Sequence, residues 1–186
     1  MIGLSLDANA NADAEFNSFY VVMTIDNLNL VVPQTHVYAL EPILDVSYSD
    51  NNFIGHIQVE TIVCPVYVLS ANLTSVTSIS QNRRICVLLH TASPISGVSI
   101  EDFFVMPAIS DTLDRLPPNL FGLLCDQVVL TEWTQQIKVF PLPACMRTPQ
   151  TRLRGLILHN DNILCITTAQ DLLDCCTTSY LKLPIL

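Results

Sequence analysis

Seven cysteines and four histidines are the residues of this 186-residue sequence whose chemistry could define a site. Metal sites need such ligands at short, regular spacings, for example two cysteines separated by two residues. The sequence has no such spacing, and the adjacent Cys175 and Cys176 are poorly placed to chelate one ion together. Five further cysteines occur singly, in largely apolar surroundings: Cys64, Cys86, Cys125, Cys145 and Cys165. We therefore predict structural thiols, with these five cysteines in the core, and no metal or cofactor.

The titratable residues form no pattern typical of catalysis. None of the histidines has a nucleophile paired with it in the sequence; they are His36, His56, His90 and His159. We expect surface or satisfied core positions for all four. A carboxylate set of Glu101, Asp102 and Asp126 is conceivable, but a glycosidase-type pair needs an aromatic sugar cleft and the chain has one tryptophan. With five glycines and no phosphate-binding glycine motif, the sequence favours a protein that is not an enzyme.

Composition limits the possible partners and the compartment. The formal net charge of -9, from 17 acidic and 8 basic side chains, argues against nucleic acid. Hydrophobic residues make up 50% of the chain and charged residues 13%, which predicts either an unusually large core or apolar patches covered by another protein. The first residues lack the pattern of a signal peptide, and no segment has the run of about 18 apolar residues typical of a membrane span. We expect a cytoplasmic protein with no membrane insertion.

Some basic and aromatic residues are candidates for contacts with a partner protein. Arg147, Arg152 and Arg154 form one local basic group, and Arg83 is followed directly by Arg84. The first group could grip an acidic partner or lie on a solvated strand edge. Three aromatic residues could be either interface anchors or core residues: Phe103, Phe104 and Trp133.

Short apolar segments separated by polar turns favour an all-β fold. The predicted strands are residues 19–25, 28–32, 53–63, 66–73, 84–90, 120–130, 137–140, 153–158 and 163–167. Asp26–Asn27 has the composition of a tight hairpin turn, and residues 160–162 form a second polar turn. Gly122 indicates a bend or a close approach of the backbone. Strands this short, without regularly interposed long helices, are typical of barrels or sandwiches.

Two short helices and three irregular segments complete the prediction. The helices cover residues 34–40, ended by Pro42, and residues 169–175 after a threonine cap. Residues 1–17 lack periodicity and are predicted to be a disordered tail. We predict a single domain over residues 18–176, with an insertion at 92–119 and a C-terminal tail at 177–186.

Four separate blocks, in this order, resemble the CheW-like family of adaptors, which couple chemoreceptors to a CheA-type histidine kinase. The blocks are LNLVVPQTHVYALEPI, FIGHIQVETIVCPVYVLS, FGLLCDQVVLTEW and LRGLILHNDNILCITTAQDLL. The second is similar to the family pattern G-V-x-N-L-R-G-x-I-V-P-V-x-D-L, and the third to G-L-L-V-D-x-V. Residues 97–103 offer a rival placement of the third block.

The resemblance assigns candidate partner-binding residues and also shows departures from the family. The family's Arg-Gly pair falls on Glu60 and Thr61, so that an anion replaces a cation, and the Asp of V-x-D-L falls on Val68. The remaining candidates keep the family's residue types: Gly55, Pro65, Gly122, Asp126, Arg154 and Gly155. The loss of the cation places the family's usual contacts in question and favours a divergent relative, such as the pilus-linked twitching-motility version.

The resemblance implies two small SH3-like five-stranded β-barrels packed side by side. It further implies a non-catalytic adaptor without a cofactor, with apolar surfaces for a CheA-like kinase regulatory domain and a methyl-accepting chemoreceptor. The groove around residues 60–65 would be one contact surface. The alternative is a small-ligand or enzymatic β-barrel whose apolar excess lines a cavity.

Overall fold

The computed structural model describes residues 19–48, 54–91, 119–134, 137–148 and 151–178. Within these residues the chain forms twelve strands in two sheets of six. The strands are β1 (Phe19–Ile25), β2 (Leu28–Pro33), β3 (Val37–Pro42), β4 (Ser47–Tyr48), β5 (Gly55–Val59), β6 (Ile62–Tyr67), β7 (Ile85–His90), β8 (Leu120–Cys125), β9 (Gln127–Glu132), β10 (Val139–Phe140), β11 (Gly155–His159) and β12 (Asn162–Ile166). One α-helix, α1 (Ala169–Thr178), follows them, and single 3₁₀ turns occur at Gln34–His36, Ile43–Asp45 and Ala144–Met146.

Several predicted segments lie outside the described residues. These are the N-terminal tail, the insertion at 92–119 except for Asn119, and most of the C-terminal tail. Asn119 is in a turn that leads into β8. The C-terminal tail begins later than predicted, because α1 continues to Thr178.

The two sheets share one topology. The first has the order β10-β11-β12-β2-β1-β9, and the second, from its β4 edge, has the order β4-β5-β6-β8-β7-β3. Adding six to each strand number of the first order, and counting β1 after β12, gives the second order. Strand directions agree as well, including the parallel pairs β12–β2 and β6–β8. The chain therefore forms two equivalent lobes, which we call lobe 1 (β1, β2 and β9–β12) and lobe 2 (β3–β8).

Chain connectivity requires lobe 2 to curl. Its edge strands β3 and β4 are consecutive in the sequence and are joined by residues 43–46. A flat sheet of six strands would hold its edges roughly 24 Å apart, whereas this link spans at most about 18 Å even when fully extended. The sheet is therefore bent towards a barrel, as the all-β prediction and the CheW-like resemblance imply. Each lobe has six described strands, where the resemblance implied five.

The central strands are buried on both faces, which explains their continuous apolar sequences. Along β7, Cys86 and Leu88 face the interior of lobe 2, whereas Val87 and Leu89 face a core between the lobes. Side chains alternate between the faces of a strand, so two hydrophobic faces produce an uninterrupted hydrophobic run. A third core fills lobe 1. Much of the apolar excess in the composition is thus buried within the chain.

Tight turns reverse the chain at three hairpins. Asp26 and Asn27 have φ angles of 47° and 68°, and Asn160 and Asp161 have 48° and 62°. Both pairs match the left-handed geometry that hairpin turns prefer, so these two turn predictions are confirmed. The third turn was not predicted: Glu60, with φ 52°, breaks residues 53–63 into β5 and β6. The turn residues Glu60 and Thr61 are neither glycine nor asparagine, the residues that commonly mark such a turn.

Three further predictions of local structure were wrong. Residues 66–73 do not form a separate strand, because β6 runs from Ile62 to Tyr67 and ends there. Residues 34–40 form one 3₁₀ turn followed by β3, because β3 pairs with β7 and its extended backbone outweighs the weak helical spacing. Residues 120–130 are two strands rather than one. The chain leaves lobe 2 at the end of β8 and enters lobe 1 with β9, and Asp126 lies between them.

Gly122 tests how closely β8 packs inside lobe 2. A Cβ atom there would lie 2.7 Å from Cys86 Sγ and 2.9 Å from Val66 Cγ2. We expect Gly122→Ala to lower the free energy of unfolding by about 1–3 kcal/mol, because a filled core cannot admit the methyl group without strain. Urea denaturation measures this loss. In a chain that already carries Cys86→Ala, Gly122→Ala should lower the free energy of unfolding by less than it does in the wild type. Equal stability of Gly122→Ala and the wild type would contradict the packing.

Candidate functional site

A buried arginine joins the two lobes where the chain crosses between them. Arg83 lies just before β7, and its side chain is 1% exposed. Its guanidinium donates to Asp126 Oδ1 at 2.8 Å and to the Leu69 carbonyl at 2.9 Å, and lies 3.0 Å from Asp26 Oδ2. Asp26 belongs to the β1–β2 turn of lobe 1, whereas Arg83 belongs to lobe 2. We call these three residues the inter-lobe clasp.

Two carboxylates compensate the buried guanidinium charge of Arg83, and backbone hydrogen bonds hold these carboxylate residues in place. The Asp26 amide donates to Asp126 Oδ2 at 2.8 Å, and the Asp126 amide donates to the Thr24 carbonyl at 2.8 Å. A buried guanidinium is tolerated when carboxylates and carbonyls accept its hydrogen bonds. Asp126, a candidate partner-binding residue, is thus occupied within the chain. In the sequence, Arg83 is distinguished only by its neighbour Arg84, with which it forms an adjacent basic pair.

A second ion pair fixes helix α1 to the start of β11. Arg154 donates from Nε and Nη2 to the two carboxylate oxygens of Asp171, at 2.7 and 2.8 Å. Asp171 also accepts from Thr168 Oγ1, and its amide donates back to that hydroxyl at 3.0 Å, which forms a capping arrangement at the helix start. Arg152 lies 3.3 Å from Asp174 on the same helix. These arginines therefore make contacts within the chain.

His36 completes the N-terminus of α1. The His36 ring is 5% exposed, and its Nδ1 accepts a hydrogen bond from the Ala169 amide at 3.2 Å. Burial, with a smaller contribution from the nearby His90, lowers the pKa of His36 to about 4, while Asp171 opposes the shift. The neutral ring therefore satisfies one of the free amides at the helix start. The prediction of a satisfied core histidine is confirmed for His36.

The three candidate glycines lie at positions of close packing. A Cβ at Gly55 would meet the Ser47 carbonyl, and one at Gly155 would lie 3.0 Å from the Phe140 carbonyl. Gly122 is enclosed by side chains, as described above. The positions that resemble the family thus include residues that the packing of the lobes requires.

The other candidates divide between the two lobes. Glu60 and Thr61 are exposed at the β5–β6 turn, and Pro65 lies within β6 opposite His56. Gly55 begins β5, so four of the eight candidates belong to one hairpin. Arg154 and Gly155 lie at the start of β11 in lobe 1. The structure therefore brings together a lobe 2 group and separates it from the lobe 1 group.

A groove opens beside the lobe 2 hairpin and has a volume of about 520 Å³. It lies between strand β3 on one side and β4 and β5 on the other. Three carboxylates lie along it, from Glu41, Asp45 and Glu60, together with polar and apolar side chains of β5 and β6. No residue in the described part of the chain forms an ion pair with these carboxylates. We call this feature the acidic groove.

Most cysteines are buried, as predicted. Burial raises the pKa of Cys86 to about 12 and also raises the pKa of Cys125 and Cys176. These groups remain thiols at neutral pH, which makes them poor nucleophiles. Cys145 is exposed in a 3₁₀ turn, so the prediction of a core position was wrong there. Within the described ranges, no three His, Cys, Asp or Glu side chains are arranged to hold a metal ion.

Exposed apolar side chains mark the same hairpin region in both lobes. Val63 of β6 is 62% exposed, and Ile163, at the equivalent position of β12, is 63% exposed. Leu158 pairs directly with Ile163 and is also exposed.

Trp133 packs edge-on against Tyr20 with centroids 5.7 Å apart, next to the lobe 1 core. Phe103 and Phe104, like Glu101 and Asp102, fall outside the described residues. None of the described helices is long and apolar enough to cross a membrane.

Removal of the clasp cation should destabilise the fold. We expect Arg83→Met to lower the free energy of unfolding by about 3 kcal/mol, because Asp126 loses its buried counter-charge while Asp26 stays partly in water. The matched control is Arg84→Met, since Arg84 is the exposed neighbour and should change stability by less than about 0.5 kcal/mol. Urea denaturation compares the two, and equal losses would contradict the assignment.

The capping role of His36 predicts a loss of stability in acid. The folded-state pKa of about 4 lies below the unfolded value of 6.5, so protons bind preferentially to the unfolded chain. The contribution is complete above pH 6.5 and is lost as the pH falls towards 4, by at most about 3 kcal/mol. His36→Asn keeps an acceptor without titrating, so its stability should fall less over this window. Parallel pH profiles of the two proteins in thermal unfolding would exclude the role.

Comparison with known proteins relates this geometry to a solved fold. No protein-family model matches the sequence, and no curated protein matches it. The structure is similar to the crystal structure of the scaffolding protein TtCheW from Thermoanaerobacter tengcongensis, with a TM-score of 0.55 and 12% sequence identity. The match covers 84% of this chain and 87% of that chain. The chain therefore has a CheW-like two-lobed β fold.

Proposed function

We propose that this chain is a non-catalytic adaptor in a chemotaxis-type signalling pathway. It bridges the regulatory domain of a CheA-like histidine kinase and a methyl-accepting chemoreceptor. The observation that carries the proposal is the CheW-like fold over 84% of the chain, since the neighbour is named a scaffolding protein. The twitching-motility version of such a pathway is the finer form of the proposal, because Glu60 replaces the cation of the resembling motif.

The chemistry of the surface supports binding rather than catalysis. His36 is buried with its Nδ1 hydrogen-bonded within the chain, and most of the cysteines are buried thiols. The interiors of both lobes are filled by side chains, including Leu88 and Leu124 in lobe 2 and Tyr20 and Ile157 in lobe 1. Space for a ligand-binding chamber inside a lobe is therefore not available in the described core, which disfavours the alternative of a small-ligand barrel.

Two lobes with equivalent but chemically different surfaces suit a bridging role. The hairpin of lobe 1 presents Leu158 and Ile163, whereas the hairpin of lobe 2 presents Gln58, Glu60 and Val63. Specificity between partners requires such differences in surface chemistry. We assign one partner to each lobe, with Glu60, Thr61 and Pro65 on the lobe 2 surface. The remaining candidates, Gly55, Gly122, Asp126, Arg154 and Gly155, support these surfaces through packing and ion pairs.

A paired substitution tests the bridge. Val63→Lys and Ile163→Lys place the same charge at equivalent exposed positions of the two lobes, so neither should disturb the cores. We expect each variant to lose a different partner when tagged protein is purified from the native cell, because a charge on an interface centre is costly to desolvate. The control is Gln81→Lys, at an exposed loop position, which should retain both partners.

Recovery is measured by quantitative mass spectrometry of the captured kinase and chemoreceptor. Failure of the well-folded wild-type protein to recover either class would exclude the adaptor function. Recovery of both partners by both variants would leave the function standing but overturn the assignment of the two surfaces.

A further inference from the structure

The acidic groove lies between two strand edges, and this position determines what can bind in it. β3 is the edge strand of the lobe 2 sheet and pairs on one side with β7. β5 pairs with β6 along its whole length, but its other side pairs with β4 only at Gly55 and His56. Ile57 to Val59 therefore have no neighbouring strand on that side among the described residues. Tyr38, Ile57 and Val59 line the gap between these two edges.

An unpaired strand edge presents backbone donors and acceptors that favour an extended chain. A peptide that adds a strand gains main-chain hydrogen bonds, and its alternate side chains face the same surface. The volume of about 520 Å³ is sufficient for several residues in extended conformation. The geometry thus suits a strand more than a helix or a small metabolite.

Charge selects the kind of strand. Glu41 and Asp45 line the β3–β4 side of the groove, and Glu60 lies at the turn on the β5 side. None of the three forms an ion pair with another described residue. Alternate residues of an extended peptide are spaced about 6.8 Å apart on one face, so regularly placed lysine or arginine side chains can reach both rims.

The other lobe shows that the shared topology does not require these charges. The two hairpins have the same register, so that Gln58, Glu60 and Val63 correspond to Leu158, Asn160 and Ile163. In lobe 1 the two strand positions are apolar, and the turn Asn160–Asp161 carries one carboxylate, as the lobe 2 turn does. Glu41 of β3 corresponds by register to the neutral Thr131 of β9, so this groove charge is not a consequence of the shared architecture.

We propose that the acidic groove binds an extended, basic segment of a partner protein by strand addition to β5, along the edge at Ile57 to Val59 that no described strand covers. The inference rests on the proposed adaptor function, for which it names the chemistry of the lobe 2 partner. A second copy of this chain is a poor occupant, because two molecules of net charge -9 repel each other.

Three labelled peptides test the inference by fluorescence anisotropy at low ionic strength. The first is a ten-residue peptide with lysine and valine in alternation, the second has glutamate in place of lysine, and the third is the lysine peptide with alternate amides N-methylated. We expect the lysine peptide alone to bind measurably, with an affinity that falls as salt is raised. Equal binding of the glutamate peptide, or of the methylated peptide, would overturn the inference.

Matched variants locate the binding. Glu41→Gln with Glu60→Gln removes two groove charges, whereas Glu132→Gln with Asp161→Asn removes two exposed charges from lobe 1. We expect the groove variant to bind the lysine peptide about threefold to thirtyfold more weakly, as the loss of two exposed charge contacts implies. The lobe 1 variant should bind nearly as tightly as the wild type, and urea denaturation should show both variants folded. Equal affinities of the two variants would place the peptide elsewhere.

The outcome is separable from that of the proposed function. If the wild-type protein recovers a kinase and a receptor from the cell but ignores the lysine peptide, the adaptor function stands and the groove inference fails. If it binds the lysine peptide at the groove but recovers neither component, the groove inference stands and the adaptor function fails. Sedimentation velocity provides the remaining check, because a dimer that dissociates in the groove variant would assign the groove to a second copy and overturn the inference.

Discussion

Burial of four strands on both faces is the constraint on which the rest of the structure depends. β1, β2, β7 and β8 contribute side chains to a lobe interior on one face and to the core between the lobes on the other. A strand in this position cannot carry charges, and its partners must supply apolar surfaces on both sides. This single arrangement explains the 13% charged content and the two-lobed form together.

The few polar groups at the lobe junction are paired because water cannot reach them. The buried guanidinium of Arg83 contacts two carboxylates and a backbone carbonyl. The neutral ring of His36 accepts a hydrogen bond at the start of α1. Each group fixes a relation between elements that are distant in sequence. Arg83 relates the β1–β2 turn to β7, and His36 relates the region after β2 to the closing helix. Desolvation makes such contacts costly to break from one side only.

The two lobes share one topology but differ in the side chains of their outer surfaces. The hairpins β5–β6 and β11–β12 have the same register, yet their outward strand positions are Gln58 and Val63 in one and Leu158 and Ile163 in the other, and the first borders the acidic groove. Packing restricts the glycines and inward positions of both hairpins, whereas the outward positions carry no such restriction. An adaptor that must distinguish two partners needs this combination of a common scaffold and divergent rims.

The sequence by itself determined the all-β class, the two turns at residues 26–27 and 160–161, the buried run of β7 and the resemblance to CheW-like proteins, because these depend on local composition and short-range pattern. Tertiary structure alone decided that Asp126 lies at a crossover between sheets, that Arg83 is buried among carboxylates, and that Glu60 ends a strand in a left-handed turn. The physical reason is that an ion pair or a sheet edge joins residues far apart in sequence. Arg83 and Asp126 are separated by 43 positions, and no short-range pattern in the sequence indicates that these two residues are in contact.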